Sequence, residues 1–277
     1  MSSLCRSVSF SSRGTSVPRN VTILCLTVCL SAAAGPLRVC SDPNNLPFSN
    51  QHQQGFENKI AELIAHDLNE KLEYTWWQQR RNYVRNTLQS RRCDLLIGMP
   101  AQSDEVAPTT PYYTSTYAFV YRKDRNLNIR SLDDPALHRL RIGLHVVDDT
   151  YTPPAAALAR RGIRNFAGYS LFGAAGEPNP PAKILDAVAG NEIDVAIVWG
   201  PLAGYFAKKS SVPLAVVPFS QPRDGVVPFR FAMSAAVRKG DSTRREQINA
   251  ALQRHKREIR DILNAYGVPL VDGGNQQ

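Results

Sequence analysis

The sequence has no acidic residue among its first twenty, and beyond residue 34 it has only two cysteines and no long apolar run. The missing acids matter because Arg6, Arg13 and Arg19 stand there unopposed. They precede an apolar run from Val21 to Leu30 and the small-residue stretch Ser31-Ala32-Ala33-Ala34-Gly35. A basic region, a short apolar core and an A-x-A site in that order describe a secretory signal peptide over residues 1–34, cut after Ala34. The run is too short for a permanent membrane helix. Val28 stands where a small residue precedes a lipidated cysteine, which argues against lipidation at Cys29. Cleavage removes three of five cysteines and three arginines, so the formal net charge of +9 falls to +6. A soluble exported chain of roughly 240 residues remains, enough for two domains of modest size.

Other absences narrow the function. No P-loop, dinucleotide glycine motif or nucleophile elbow occurs. His52, His66, His138, His145 and His255 show no metal-ligand spacing, and none lies close in sequence to a cysteine. The adjacent pairs Asp133-Asp134 and Asp148-Asp149 are not the alternating oxygen ligands of a calcium loop. The expectation is therefore no metal and no cofactor, and, without an aromatic-basic module in an exported chain, no nucleic acid. Cys40 and Cys93 enter a compartment that permits disulfides. Cys40 ends one expected strand while Cys93 begins another, and neighbouring parallel strands hold such ends roughly 10 Å apart. Two separate buried cysteines are expected, and a bridge is disfavoured.

What is present is a weak repeat. "LRVCSD" at 37–42 is echoed by "LRIGLH" at 140–145, and "CDLLIGMP" at 93–100 by "IDVAIVWGP" at 193–201. Asp94 and Asp194 each introduce an apolar run without polar alternation, which suits strands of a parallel sheet covered on both faces. Phe56, Ile60, Leu63, Ile64 and Leu68 recur at helical spacing, as do Ile184, Leu185 and Val188. Each half reads as an α/β lobe. The segments 121–125 and 218–228 are polar or proline-rich, as crossings are, and 229–241 reads as a strand before a basic amphipathic helix. The layout is lobe one over 35–122, lobe two over 123–218, and a return to lobe one over 219–277. Two crossover segments make a hinge, and the central cleft is the expected ligand site.

With "GFENKIAELIAHDL" after the first strand and "PYYTSTYAFVYRKD" before the crossing, the chain resembles the periplasmic solute-binding proteins with two crossovers, the type II fold. More narrowly, "LRVCSDPNNLPFSN", "YTWWQQRR", "RCDLLIGMP", "TPPAAALARRGI", "GYSLFG", "EPNPPAKILDAV" and "IDVAIVWGPLAGYFA" resemble the J-type accessory proteins, the MxaJ and XoxJ kind. These are encoded beside pyrroloquinoline-quinone (PQQ) methanol dehydrogenases. The match runs over essentially the whole exported chain. It implies a non-enzymatic periplasmic protein whose partner is that dehydrogenase, with its cytochrome c as a further candidate. A conventional amino-acid binder of the class has an arginine between the third strand and Pro-Tyr-Tyr, and an aspartate ending the lobe-two strand. Here the segment is "MPAQSDEVAPTTPYY", without a basic residue, and the strand ends at Trp199. Burying either charge of an α-amino acid unpaired costs several kcal/mol, so that ligand is not expected.

Candidate cleft residues follow from strand ends and turns. Asp42, Asn44, Asn45 and Phe48 open from the first strand, although Asp-Pro-Asn-Asn serves a turn equally well. Trp76 and Trp77 end a strand with side chains on opposite faces, and Trp77 with Arg80 and Arg81 is the site candidate. Tyr112, Tyr113, Trp199, Gly200 and Pro201 complete the set. Arg80, Arg81, Arg85, Arg91 and Arg92 form a basic segment on a helix near 80–90 whose Tyr83, Val84, Thr87 and Leu88 face inward. It reads either as a solvated face or as a surface steering an acidic protein partner. Pro153 and Pro154 read as helix caps; the loop 177–181, with its prolines, could edge a dock. Two alternatives stay open. One is a transporter receptor for an uncharged or aromatic solute stacked by Trp77, Tyr112 and Trp199. The other is an enzyme resembling cyclohexadienyl dehydratases, for which Glu57 is the candidate acid or base.

Overall fold

The computed structural model describes residues 35–174 and 176–272, so the signal-peptide assignment lies outside the described residues. In chain order the main elements are β1 (Leu37–Ser41), α1 (Phe56–Asp67), β2 (Leu72–Trp76), β3 (Leu95–Pro100) and β4 (Tyr113–Arg122). Then come β5 (Ile142–Val147), α2 (Pro154–Arg160), β6 (Phe166–Ser170), α3 (Lys183–Ala189), β7 (Val195–Trp199), α4 (Gly200–Lys209) and β8 (Leu214–Pro218). The chain closes with β9 (Arg230–Val237), α5 (Ser242–Arg254) and α6 (Lys256–Ala265).

One sheet runs in the order β6-β5-β7-β4-β9-β3-β1-β2, with β8 also against β4. β1 pairs in parallel with β2 and β3, and β5 in parallel with β6 and β7. β4 is shared. Its residues Tyr113–Thr116 pair with β9, and from Tyr117 onward it pairs with β7 and β8. The chain thus changes half-sheet within a strand, upstream of Lys123.

Packing follows the pleat, since successive side chains alternate faces. Leu37, Val39, Leu95, Ile97, Ala235 and Val237 pack beneath α1, α5 and α6, against Phe56, Ile60, Ile64, Ile248, Leu252, Ile259 and Leu263. On the opposite face Cys40, Leu96 and Ala236 meet Tyr83, Val84 and Leu88. That helical turn buries Tyr83, Val84, Thr87 and Leu88, the inward set its spacing indicated. In the second half, Ala118, Val120, Ala196 and Val198 pack on α3 and α4, while Phe119, Ile142, Leu144 and Ile197 face the opposite cluster.

The repeat has a physical basis. Arg38, the second residue of β1, grips Asp94 with Nε and Nη2 at 2.8 and 2.9 Å. Arg141, just before β5, grips Asp194 at 3.0 and 2.9 Å in the same fork. The Asp94 and Asp194 backbone N–H groups donate to the Arg38 and Arg141 carbonyls, respectively. Each half therefore fastens the entry of its third strand to the start of its first by one Arg–Asp pair. The Arg141 hydrogen bonds, against the cost of burial, hold the Asp194 carboxyl down at about 2. A depressed acid stabilises the fold above its unfolded value and loses that contribution as pH falls through the folded one. Asp194→Asn is expected to cost about 1–2 kcal/mol at pH 7, discounted because Arg141 is half exposed. The deficit should shrink between pH 4 and pH 2 in urea melts.

One expectation is corrected here. Cys40 and Cys93 form a disulfide, with Cα atoms 5.6 Å apart. The sequence pattern extends β3 straight back through Cys93. In the fold β3 begins at Leu95, and the chain before it bends over β1 and β2, where the Thr75 hydroxyl donates to the Arg92 carbonyl at 3.0 Å. That bend brings Cys93 over Cys40 instead of leaving it along the strand axis.

Candidate functional site

The C-terminal ends of β1, β3, β5 and β7 converge, as ligand-bearing ends do in open α/β sheets. A cleft of about 750 Å³ opens there. Phe48 comes from the loop after β1, Glu57 from the first turn of α1, and Gly98 and Pro100 from β3. Gln79, Arg80 and Arg81 come from the segment after β2, and Trp199 from the end of β7. Tyr117, Phe231 and Met233 line the cleft from β4 and β9, and His145, Tyr151, Thr152 and Phe172 from the second half.

Trp199 is held edge-to-face by Tyr117 at 5.5 Å and by Phe231 at 5.6 Å between ring centroids. Glu57 is 4 % exposed. Burial, with the nearby Asp42 carboxylate, pushes its carboxyl well above the ordinary range. Gly98, at φ +78°, makes room for it, because a Cβ there would sit 1.9 Å from Glu57 Oε1. Burial pulls His145 down to about 4, against the opposing contact of Nε2 with the Pro181 carbonyl at 3.2 Å. Three further lining residues with charged side chains, Arg80, Arg81 and Asp148, are all exposed.

Two contacts bridge the halves at the rim. Asn44 Nδ2 donates to the Glu177 carbonyl at 2.6 Å. Arg80 donates to the Gly173 carbonyl at 3.3 Å and lies 5.1 Å from the centroid of the Phe172 ring.

The structure brings Asn45, Phe48, Glu57, Arg80, Arg81 and Trp199 together in the cleft. Asp42 is elsewhere: both its carboxylate oxygens are taken by backbone N–H groups, of Asn44 at 2.8 Å and Gln79 at 2.7 Å. It staples the loop after β1 to the segment after β2, and burial raises its pKa against those bonds. Trp77 packs beside the Cys40–Cys93 cluster, under the Arg92 guanidinium at 5.0 Å, on an outer groove. It is Trp199, not Trp77, that walls the cleft. Tyr112 and Tyr113 border a separate groove with Arg230, Lys256 and Arg260. Gly200 and Pro201 are buried in the first turn of α4; a Cβ on Gly200 would meet the Thr116 carbonyl at 2.5 Å. Pro153 is the N-cap of α2, the helix-capping place read from sequence, and it also lines the cleft. Tyr117 and Phe231 were missed because each looks like an ordinary strand residue. The available signal was the length of "YYTSTYAFVYR", too long for a strand serving one lobe.

A two-lobed α/β scaffold with an aromatic cleft at its strand ends is the architecture of a solute-binding protein. The pattern of the bacterial extracellular solute-binding proteins, family 3, matches residues 37–268, and the chain belongs to that family. Within it, the chain is 33% identical over 255 residues to "Protein MoxJ" of Methylorubrum extorquens, covering 87% of this chain and 84% of that one. The crystal structure of the periplasmic binding protein XoxJ from Methylobacterium extorquens AM1 superposes with a TM-score of 0.71 at 37% identity, covering 85% of this chain and 99% of that one. MxaJ from Methlophaga aminisulfidivorans superposes with a TM-score of 0.73 at 29% identity, covering 85% and 100%. The fold is therefore that of the type II periplasmic binding proteins, and the family places the chain outside the cytoplasm. Among the described residues no helix is long and apolar enough to cross a membrane.

Proposed function

We propose that the chain is a non-enzymatic periplasmic accessory protein that engages a PQQ-dependent methanol dehydrogenase during methanol oxidation. The observation that carries the reading is similarity to MoxJ, XoxJ and MxaJ over 85–87% of the chain. The surface supports it. Of the basic segment, Arg80 and Arg81 turn to the cleft, Arg92 lies on Trp77, and Arg85 and Arg91 stay exposed. An exposed positive face accelerates docking on an acidic protein and weakens as salt screens it. The dehydrogenase should therefore co-purify with the tagged chain at low salt and fall away at high salt. Arg85→Glu with Arg91→Glu, both outside the cleft, should reduce recovery at low salt several-fold. Recovery that ignores both salt and the double variant counts against the docking face.

A second reading, a transporter receptor for an aromatic solute, is favoured by the Trp199, Tyr117 and Phe231 wall. It predicts permease and ATPase genes beside this one, where the accessory reading predicts dehydrogenase and cytochrome genes.

A further inference from the structure

The cleft sorts its lining by chemistry. Its wall is aromatic and apolar: Trp199, Tyr117, Phe231 and Phe48, with Met233 and Leu202. At exposed positions stand two arginines, Arg80 and Arg81, against one aspartate, Asp148. The two arginines differ in how they are occupied. Arg80 is spent on Phe172 and the Gly173 carbonyl. Arg81 forms no ion pair among the described residues, whereas Arg38, Arg141, Arg161 and Arg254 each hold a carboxylate. A guanidinium left open beside an aromatic wall is suited to a planar carboxylate, which it grips through two parallel hydrogen bonds.

We propose that the cleft binds a small planar aromatic carboxylate, its ring against Trp199, Tyr117 and Phe231 and its carboxylate on Arg81. The volume, about 750 Å³, lies within the range of small-molecule sites. The interior adds a direction. Thr152 Oγ1 is buried without a hydrogen-bond partner, and it lines the cleft beside His145 and Tyr151. Glu57, buried in the lining, offers a hydrogen-bonding carboxyl from the opposite half. A ring oxygen or nitrogen directed inward would meet polar groups there without burying a charge. A cationic ligand would leave Arg81 unanswered and meet Asp148 alone. An aliphatic acid would leave the ring wall unfilled.

The inference rests on reading this cleft as the chain's binding site and deepens that reading by naming its ligand class. The test is calorimetric titration of residues 35–277 with indole-3-acetate and benzoate, against indole-3-acetamide, benzamide, cyclohexanecarboxylate and benzylamine. Indole-3-acetate should bind with a dissociation constant of about 1 mM or tighter. Its amide and the aliphatic acid should bind about tenfold more weakly, and benzylamine should not bind. Arg81→Gln, at an exposed position, should erase the preference of acid over amide while leaving amide binding as it was. Trp199→Leu should weaken acid and amide alike. Equal binding of acid and amide, preference for the amine, no binding at millimolar concentration, or an Arg81→Gln variant with the preference intact would each overturn the proposal. Failure here with dehydrogenase co-purification intact removes the ligand and keeps the accessory role. Binding without co-purification does the reverse.

Discussion

Replacing Cys40 and Cys93 together by alanine should lower the unfolding free energy by about 4 kcal/mol. The bond joins residues 53 apart in sequence, and a cross-link over a loop of that length removes much of the freedom of the unfolded chain. Alanine is the better substitution because a serine hydroxyl at either buried position would add a desolvation cost. Urea melts of the wild-type chain with and without reductant, beside the double variant, check the effect. The reduced wild-type chain and the variant should fall together, well below the oxidised chain. Oxidised and reduced chains with the same midpoint would contradict the pairing. The consequence reaches the cleft, because the loop carrying Asn45 and Phe48 leaves β1 just beyond Cys40.

Glu57→Gln should stabilise the chain, and increasingly so as pH rises above the unfolded glutamate value. In the unfolded chain a glutamate gives up its proton near pH 4.3. In the fold, burial first and the Asp42 carboxylate second hold that proton to a much higher pH. The contribution of the protonated form is complete below the unfolded value and is lost as pH climbs toward the folded one. Glutamine keeps the size and the hydrogen-bonding capacity without that loss. Each unit of separation between the two values is worth about 1.4 kcal/mol, which makes the effect large enough to read as a shift in Tm. A variant whose advantage is flat or falls with pH would show that Glu57 is ionised in the folded protein.

The frame of the protein was legible because it repeats. Leu-Arg opening a strand and Asp introducing the next recur in both halves, and the structure shows the Arg–Asp forks behind that recurrence. The inward face of the turn at 83–88 was also legible, since helical spacing and burial coincide there. The site was legible where a strand end, or the loop and helix start that follow one, carries its own chemistry, as at Trp199, Phe48 and Glu57. It was not legible where a side chain's surroundings come from distant elements. Trp77 follows β2 directly, but it meets the disulfide cluster because the 92–94 bend crosses there. Tyr112 and Tyr113 sit at the start of a strand whose first residues belong to the other half-sheet from Tyr117. The disulfide was missed for the same reason: a local bend, absent from any periodicity, decides a distance between strands.

The accessory role is tested most directly by deleting the gene in its host and assaying methanol dehydrogenase in the periplasmic fraction with the native electron acceptor. The dehydrogenase transcript should persist while its activity falls at least several-fold, and the wild-type gene in trans should restore it. Normal dehydrogenase activity in the deletion strain would contradict the account.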